Sequence, residues 1–250
     1  MNLTDEINPN KNFIRAASRL LADMSECQSH FNGEGQDVFA MAFLQIYHLA
    51  NDFISVNAVT ALDIGCGHPN QKSNTFVFED LSYGECLCFD KTDYAKDFKN
   101  DRTRKFFRRD VTNPNFWNTT LLNQDWLEKN RIAFIKQYNK IFIPYLSLDI
   151  DEAGLTFLQQ IPFDKVSFGC ITFEHDYYQR GDALKMPAME ILYNNGYAIA
   201  LDNAMINGLA WEDWYVRADL LERYRFPVAW NIDRNDYLKM IIKNWLKGTI

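Results

Sequence analysis

The chain has 250 residues, of which 47% are hydrophobic and 24% are charged, and this composition excludes an intrinsically disordered or coiled-coil protein. Its 26 basic and 33 acidic residues give a net charge of −7, so it lacks the positive field that attracts nucleic acids. We therefore expect one main domain that acts on a small molecule or a specific acceptor, without a nucleic-acid partner.

The N-terminal residues and the cysteines indicate the cellular compartment of the protein. Residues 1–12 are polar and acidic, and no segment has the roughly 18 successive apolar residues that cross a bilayer. The five cysteines are odd in number and lie in or beside apolar segments, which predicts reduced, buried thiols. These features predict a cytoplasmic protein without a membrane partner.

Strands alternate with helices along the chain. Helical spacing of apolar residues predicts helices over 11–25, 37–50, 115–139, 152–160, 182–195 and 238–246. Short apolar segments predict strands over 59–64, 85–89, 105–109, 145–150, 166–174 and 197–201. Such alternation predicts an α/β fold, with a parallel sheet between two layers of helices.

Three segments make up the predicted domain organisation. We expect residues 1–50 to form a helical segment packed on the core, residues 51–220 the main domain, and residues 221–250 a helical extension. The last helix is amphipathic, so it docks either on the body or on a second copy of the chain, which leaves a homo-oligomer open.

An acidic residue stands at or just beyond five of the predicted strand ends. Because the carboxyl ends of parallel strands meet at one edge of a sheet, and ligands bind there, these side chains predict one acidic crevice. The five residues are Asp63, Asp90, Asp110, Asp149 and Glu174.

The first strand runs into a glycine turn, Gly65-Cys66-Gly67. Two glycines allow a sharp bend and a close approach of the backbone to a ligand. Pro69 prevents an immediate helix, so the turn does not match the GxGxxG motif that places a pyrophosphate at a helix N-terminus. The turn disfavours a nicotinamide-dependent oxidoreductase and favours a ligand with an amino acid end.

The next two strand ends suit an adenosine. A carboxylate at Asp90 can accept hydrogen bonds from both ribose hydroxyls. An acid at Asp110 can accept one from the exocyclic amine of adenine, and Val111 can pack on the ring. The spacing of these residues predicts adenosine recognition.

At this point the sequence resembles the S-adenosylmethionine (SAM)-dependent methyltransferases, and among them the FkbM-like family. The similarity covers about residues 33–220. Asp63-Ile64-Gly65-Cys66-Gly67 resembles the first cofactor motif of these enzymes. The more specific similarities lie in the segments 35–39, 73–75, 145–153, 171–175 and 212–216.

The resemblance implies a class I methyltransferase fold, a Rossmann-like, seven-stranded, mostly parallel sheet with a reversed last hairpin and helices on both faces. It implies S-adenosyl-L-methionine as cofactor and methyl transfer to a hydroxyl of a sugar-containing or other small molecule, so the partner is a small-molecule or glycan acceptor. From the methionine end to the adenine end, it assigns to the cofactor Asp63, Gly65, Gly67, Asp90, Asp110 and Val111, with Gln36, Asp37 and Asn74 as further candidates.

A sugar hydroxyl is a poor nucleophile, so a base or a metal has to activate it. We expect His175 to be the base, with Asp149 and Glu174 orienting it or holding a divalent cation such as Mg²⁺. In the alternative interpretation Glu174 and His175 satisfy backbone groups at a strand end. His68, beside the glycine turn, is a rival base.

Other interpretations stay open at this stage. The fold is also compatible with a non-catalytic module that binds the cofactor or a partner. A group of aromatic residues either lines an acceptor pocket or belongs to the core and a subunit contact; its members are Trp211, Trp214, Tyr215, Tyr177 and Tyr178. A basic cluster over residues 102–109 forms a solvated edge or binds phosphate groups.

Overall fold

The computed structural model describes residues 35–50, 59–69, 73–80, 84–101, 105–123, 125–126, 134–135 and 140–246. The helix predicted over 11–25 lies outside these residues. The described helices are α1 (Gln36–Ala50), α2 (Phe76–Asp80), α3 (Ala95–Asp101), α4 (Phe116–Thr119), α5 (Ala153–Gln160), α6 (Tyr177–Arg180), α7 (Asp182–Asn194), α8 (Ala218–Tyr224) and α9 (Arg234–Leu246). The described strands are β1 (Val59–Ile64), β2 (Glu85–Asp90), β3 (Lys105–Arg108), β4 (Phe134–Ile135), β5 (Lys140–Leu148), β6 (Val166–Glu174), β7 (Tyr197–Ile206), β8 (Leu209–Arg217) and β9 (Ala229–Trp230).

All the described strands belong to one mixed sheet. Its order is β3-β2-β1-β5-β6-β8-β7-β9, with β4 paired to β5. β8 runs antiparallel to both β6 and β7, and β9 is parallel to β7. Without the two-residue strands β4 and β9, the order and the reversed hairpin are those of the α/β methyltransferase fold, as the resemblance implied. The described part of the chain contains nine strands, two more than the seven predicted.

The described residues of the segment 115–139 differ from the prediction of a helix with a break in its middle. It contains the four-residue helix α4 and the strand β4, which pairs antiparallel with the start of β5. Residues 141–143 are apolar and buried, so β5 begins five residues earlier than predicted and offers β4 a pairing partner. Pairing with a neighbouring strand outweighs the local helical preference of this segment.

Strand side chains alternate between two apolar layers. Ala61 and Tyr145 pack in the layer that contains α1 and α9. Leu62 and Leu146 pack in the opposite layer, with α4, α5 and α7. Helices therefore cover both faces of the sheet, as predicted.

The helix α9 docks on the body of the same chain. Its buried residues include Tyr237, Leu238 and Ile241, and the Tyr237 ring lies 6.5 Å from the ring of Phe39 in α1. None of the helices in the described part of the chain is long and apolar enough to cross a membrane.

Candidate functional site

Two cavities adjoin at the edge of the sheet where β1, β2, β5 and β6 end. The first, called cavity A, has a volume of about 230 Å³ and lies beyond β1, β2 and β3. The second, called cavity B, has a volume of about 470 Å³ and lies between β5, β6 and the start of β8. Asp149, directly after β5, lines both cavities.

The glycine turn after β1 forms one wall of cavity A. Gly65 has φ of +82°, and a Cβ on it would lie 1.8 Å from the carbonyl oxygen of Asp149. Its backbone N–H donates to the carbonyl of Phe89 over 2.9 Å. The turn is thus clamped between the ends of β2 and β5, and only glycine fits at its first position.

Asp90 faces cavity A from the end of β2. Its Oδ2 accepts a hydrogen bond from the N–H of Gly67 over 3.1 Å, and its Oδ1 accepts one from the N–H of Thr92 over 2.7 Å. A carboxylate has about four acceptor positions, so these two bonds fix the side chain and leave capacity for hydroxyl donors.

Asp110 and Val111 also line cavity A. The Asp110 Oδ1 accepts hydrogen bonds from the Thr112 hydroxyl, over 2.6 Å, and from the Thr112 N–H, over 3.0 Å. These bonds lower the pKa of Asp110, so it is an ionised acceptor at neutral pH. Val111 is buried and apolar. An acceptor beside an apolar surface is what a purine ring with an amino group requires.

Asp63 is buried and is not among the residues that line the two cavities. The hydroxyl of Thr75 donates to its Oδ2 over 2.7 Å. The neighbouring Asn74 donates from Nδ2 to the Ser147 hydroxyl over 2.9 Å and lines cavity B. Asp63 therefore positions the segment that carries Asn74.

The first turn of α1 carries two of the predicted cofactor-binding residues, Gln36 and Asp37, and only Gln36 lines cavity B. Gln36 lines the cavity, and its Nε2 donates to Oε2 of Glu212 over 3.0 Å. Asp37 is fully buried, accepts a hydrogen bond from the N–H of Val38 over 2.9 Å, and is not among the lining residues of either cavity.

Three carboxyl side chains line cavity B, those of Asp149, Glu174 and Glu212. Burial, a hydrogen bond to Asp149 and the charge of Asp149 raise the pKa of Glu174 to about 10. Burial likewise raises the pKa of Glu212 to about 8. The Trp214 indole lies near Glu212 and lowers this pKa, but its Nε1 has no hydrogen bond of good geometry among the described residues. Glu174 is therefore the protonated partner of Asp149 at neutral pH.

A second group of carboxylates lies next to cavity B. The carboxylate oxygens of Asp151, Glu174 and Asp176 lie within 4.8 Å of one another. Such oxygens are the ligands that Mg²⁺ and Ca²⁺ prefer. Of the predicted pair of cation ligands, Asp149 and Glu174, this group contains only Glu174.

His175 points into the protein. Only 1% of its surface is exposed, its Nδ1 accepts a hydrogen bond from the N–H of Tyr177 over 3.2 Å, and its Nε2 lies 3.1 Å from Oδ1 of Asp213. The same Asp213 oxygen lies 3.5 Å from Nζ of Lys185. His175 is not among the residues that line either cavity, so its placement matches the alternative role at a strand end. The rival, His68, is not among them either.

Sequence reasoning missed Glu212 and left Trp211 undecided. Because β8 runs antiparallel to β6, its first residues reach the edge where β6 ends, and Glu212 pairs with Glu174. Trp211 lines cavity B, whereas Trp214 and Tyr215 are buried in the core. The predicted reversed hairpin could have indicated both residues, because a strand antiparallel to its neighbours begins at the edge of the sheet where the parallel strands end.

No protein-family model matches the chain, and no curated protein matches its sequence. Among solved structures, magnesium protoporphyrin IX methyltransferase (ChlM) from Synechocystis PCC 6803 with bound SAM is 11% identical, with a TM-score of 0.41, and the match covers 87% of this chain and 100% of that chain. The plantazolicin methyltransferase BpumL in complex with S-adenosylhomocysteine (SAH) is 14% identical, with a TM-score of 0.39 and coverages of 84% and 98%. A DUF574 family protein from Streptomyces avermitilis MA-4680 is 10% identical, with a TM-score of 0.39 and coverages of 83% and 89%. At these TM-scores the fold assignment rests on the strand order and directions, and the FkbM-like resemblance stays a prediction.

Proposed function

We propose that the protein is a SAM-dependent methyltransferase that methylates a hydroxyl of a small molecule, with a sugar-containing acceptor as the first expectation. One observation carries the proposal. Gly65 of the glycine turn, Asp90 and the Asp110-Val111 pair line one cavity, and that cavity shares Asp149 with an acidic cavity.

In this proposal the adenosine part of the cofactor occupies cavity A. Asp90 accepts hydrogen bonds from the ribose hydroxyls, Val111 packs on the adenine, and Asp110 accepts from its amine. The backbone of Gly65 and Gly67 approaches the methionine part. Asp63 acts indirectly, because it holds the segment 73–75 through Thr75.

The methyl donor is reactive without help from the protein, because bound SAM supplies an electrophilic methyl group on a sulfonium. The residues of cavity B orient the acceptor hydroxyl and remove its proton. The acceptor oxygen would form the new bond to the methyl carbon, and the electron pair of the broken carbon–sulfur bond would stay on the sulfur. Asp149 lines both cavities and receives the proton, while protonated Glu174 donates a hydrogen bond to it.

His175 is not part of this mechanism as we propose it. Its imidazole contacts Asp213 and the backbone of Tyr177, so we assign it a positioning role at the start of α6. No step of the proposed reaction requires a cation at Asp151, Glu174 and Asp176.

Isothermal titration calorimetry with SAM, SAH and NADH tests the proposal. We expect SAM and SAH to bind and NADH to give no heat. Binding of NADH without binding of SAH would contradict the proposal and favour an oxidoreductase. A non-catalytic module is distinguished by a second measurement, because it would bind SAM without forming SAH in the presence of any acceptor.

A further inference from the structure

The walls of cavity B carry carboxyl groups and other hydrogen-bond acceptors. Three carboxyl side chains line it, from Asp149, Glu174 and Glu212, and none of its lining residues in the described part of the chain is basic. Arg234, at the start of α9, acts on Glu212 through space but is not among these residues. A buried anionic group would find no cationic side chain among these lining residues to pair with, so the cavity disfavours acceptors with a phosphate or carboxylate group.

Two buried groups in these walls have atoms without a partner. Gln36 is 7% exposed and Glu212 is 3% exposed. These side chains bind each other, yet Gln36 Oε1 and Glu212 Oε1 have no hydrogen-bond partner among the described residues. Buried polar atoms are nearly always paired. The amide oxygen is an acceptor, and the carboxyl oxygen becomes one when Glu212 is ionised, so the two suit a ligand that supplies several donors.

Trp211 adds a flat apolar surface to the same cavity. Its ring contacts the ring of Tyr178 with centroids 4.5 Å apart, which fixes its orientation. Its Nε1 has no hydrogen-bond partner among the described residues and is available as a donor. An indole beside carboxyl groups suits a sugar ring, and it also attracts a cation through its π face.

We propose that cavity B binds an acceptor that carries a protonated amine beside its hydroxyls, and that an amino sugar is the class that fits. In this arrangement Glu212 is the counter-charge of the ammonium group, Gln36 Oε1 accepts a second donor, and Trp211 packs on the sugar ring. The inference deepens the proposed function and rests on it, because it names the acceptor class for the same site.

The protonation of Glu212 depends on whether the ammonium group is present. Burial raises the pKa of Glu212 to about 8, so the side chain is mostly protonated at neutral pH while the cavity holds no cation. A positive charge beside a carboxyl group favours its ionised form. Glu212 therefore releases its proton to solvent when the ammonium group binds and then carries the counter-charge.

The methionine part of SAM also has an ammonium group, which competes for the same carboxylates. SAH carries the same amino acid end. Binding of acceptor probes to the protein saturated with SAH therefore reports the space that the cofactor leaves free.

Saturation-transfer NMR on the SAH-bound protein tests the inference with three sugars of similar size. Glucosamine is cationic, glucose is neutral and glucuronate is anionic. We expect the affinity for glucosamine to exceed that for glucose about tenfold, as one charge-assisted hydrogen bond provides, and we expect no binding of glucuronate. Equal affinity for glucose and glucosamine, or preferential binding of glucuronate, would overturn the inference.

Two variants locate the effect. Glu212→Gln keeps the shape of the side chain and removes its ability to ionise, so we expect it to abolish the preference for glucosamine. Glu222→Gln makes the same change at an exposed position on α8 and should leave the preference intact. Retention of the preference in Glu212→Gln would overturn the assignment of the counter-charge. The wild-type comparison needs no variant, so it decides the acceptor class even where Glu212→Gln fails to fold.

The same experiment separates this inference from the proposed function. If SAH binds and glucosamine shows no preference, the acceptor class is wrong and the proposed function stands. If SAH does not bind, the proposed function fails, and the inference fails with it.

Discussion

The two cavities that adjoin at Asp149 differ in how their polar groups are satisfied. In cavity A, the acidic side chains of Asp90 and Asp110 are bonded by neighbouring residues, as Asp90 is by Gly67 and Thr92. In cavity B, carboxyl groups are buried next to one another, and Gln36 Oε1 and Glu212 Oε1 have no partner among the described residues. Asp90 and Asp110 are therefore bonded without a ligand, whereas Gln36 and Glu212 each keep an oxygen without a partner among the described residues.

This difference follows from the strands on which the residues lie. Asp90 and Asp110 follow parallel strands and enter turns whose N–H groups bind their carboxylates. Glu212 lies inside β8, where the backbone groups already pair with other strands. An acid at a strand end is satisfied locally, but an acid within a strand depends on its neighbours or on a ligand.

The substitution Gly65→Ala should have the largest effect on cavity A. The new Cβ would lie 1.8 Å from the carbonyl oxygen of Asp149, so the turn has to move. We expect a loss of SAH affinity of at least about 100-fold by calorimetry, and a lower melting temperature. Gly196→Ala is the matched control, because Gly196 has φ of +84° and no atom within 4 Å of the added Cβ. If both variants bind SAH like the wild type, the glycine turn does not border the ligand.

His175→Ala should affect folding and leave cofactor binding unchanged. The change removes a buried ring between Asp213 and the backbone of Tyr177, so we expect the free energy of unfolding to fall by about 2–3 kcal/mol. Urea denaturation measures this loss. Calorimetry on the folded variant should give an SAH affinity within about twofold of the wild type. If the variant has normal stability but no methyltransferase activity, His175 takes part in the reaction and our assignment is wrong.

Asp90→Asn should weaken cofactor binding. The introduced amide has one oxygen, which can accept from the N–H of Gly67 or of Thr92 but not from both, and it lacks the negative charge that we expect to bind the ribose hydroxyls. We expect SAH affinity to fall about 30-fold, equivalent to about 2 kcal/mol. Asp164→Asn, at an exposed position before β6, is the control. An unchanged affinity in Asp90→Asn would exclude a ribose at Asp90.

The smallest expected effect is on the pH dependence of the free energy of unfolding, which tests whether Glu212 in cavity B is protonated in the native protein. The pKa of Glu212 is about 8 in the native state against 4.5 for an unperturbed glutamate, so between these pH values the native state holds a proton that the unfolded chain releases. The contribution of Glu212 to the free energy of unfolding is therefore fully present below about pH 4.5 and is lost as the pH rises towards 8. We expect Glu212→Gln to melt roughly 5 °C above the wild type at about pH 8, with the difference shrinking by about pH 5.

The control for this measurement is Glu222→Gln, which should follow the wild type at both pH values. If Glu212→Gln and the wild type lose stability in parallel between about pH 5 and pH 8, Glu212 is ionised in the native protein. The contrast between the two cavities would then be wrong.

The sequence was most informative where a residue's role depends on its own strand. Of the five acidic residues predicted to share one crevice, the sheet brings Asp90, Asp110 and Asp149 to cavity A. Glu174 lines cavity B, and Asp63 lines neither cavity. The segment 115–139 could not be predicted in this way, because the pairing of β4 with β5 joins residues whose local pattern is helical.

Side-chain direction was less predictable than position. His175 follows β6 at the correct edge, but the buried Asp213 and the N–H of Tyr177 hold its ring away from the cavities. That Glu212 lies at the site follows only from the register between β6 and β8, which pairs it with Glu174. Both depend on contacts between strands distant in sequence, which periodicity along one segment does not contain.

A crystal structure of the protein with SAH tests the central claim most directly. We predict that the ribose hydroxyls lie within hydrogen-bond distance of Asp90, that the adenine packs on Val111 with its amine towards Asp110, and that the sulfur lies beside Asp149 at the entrance to cavity B. SAH bound elsewhere, or with its ribose away from Asp90, would contradict the account.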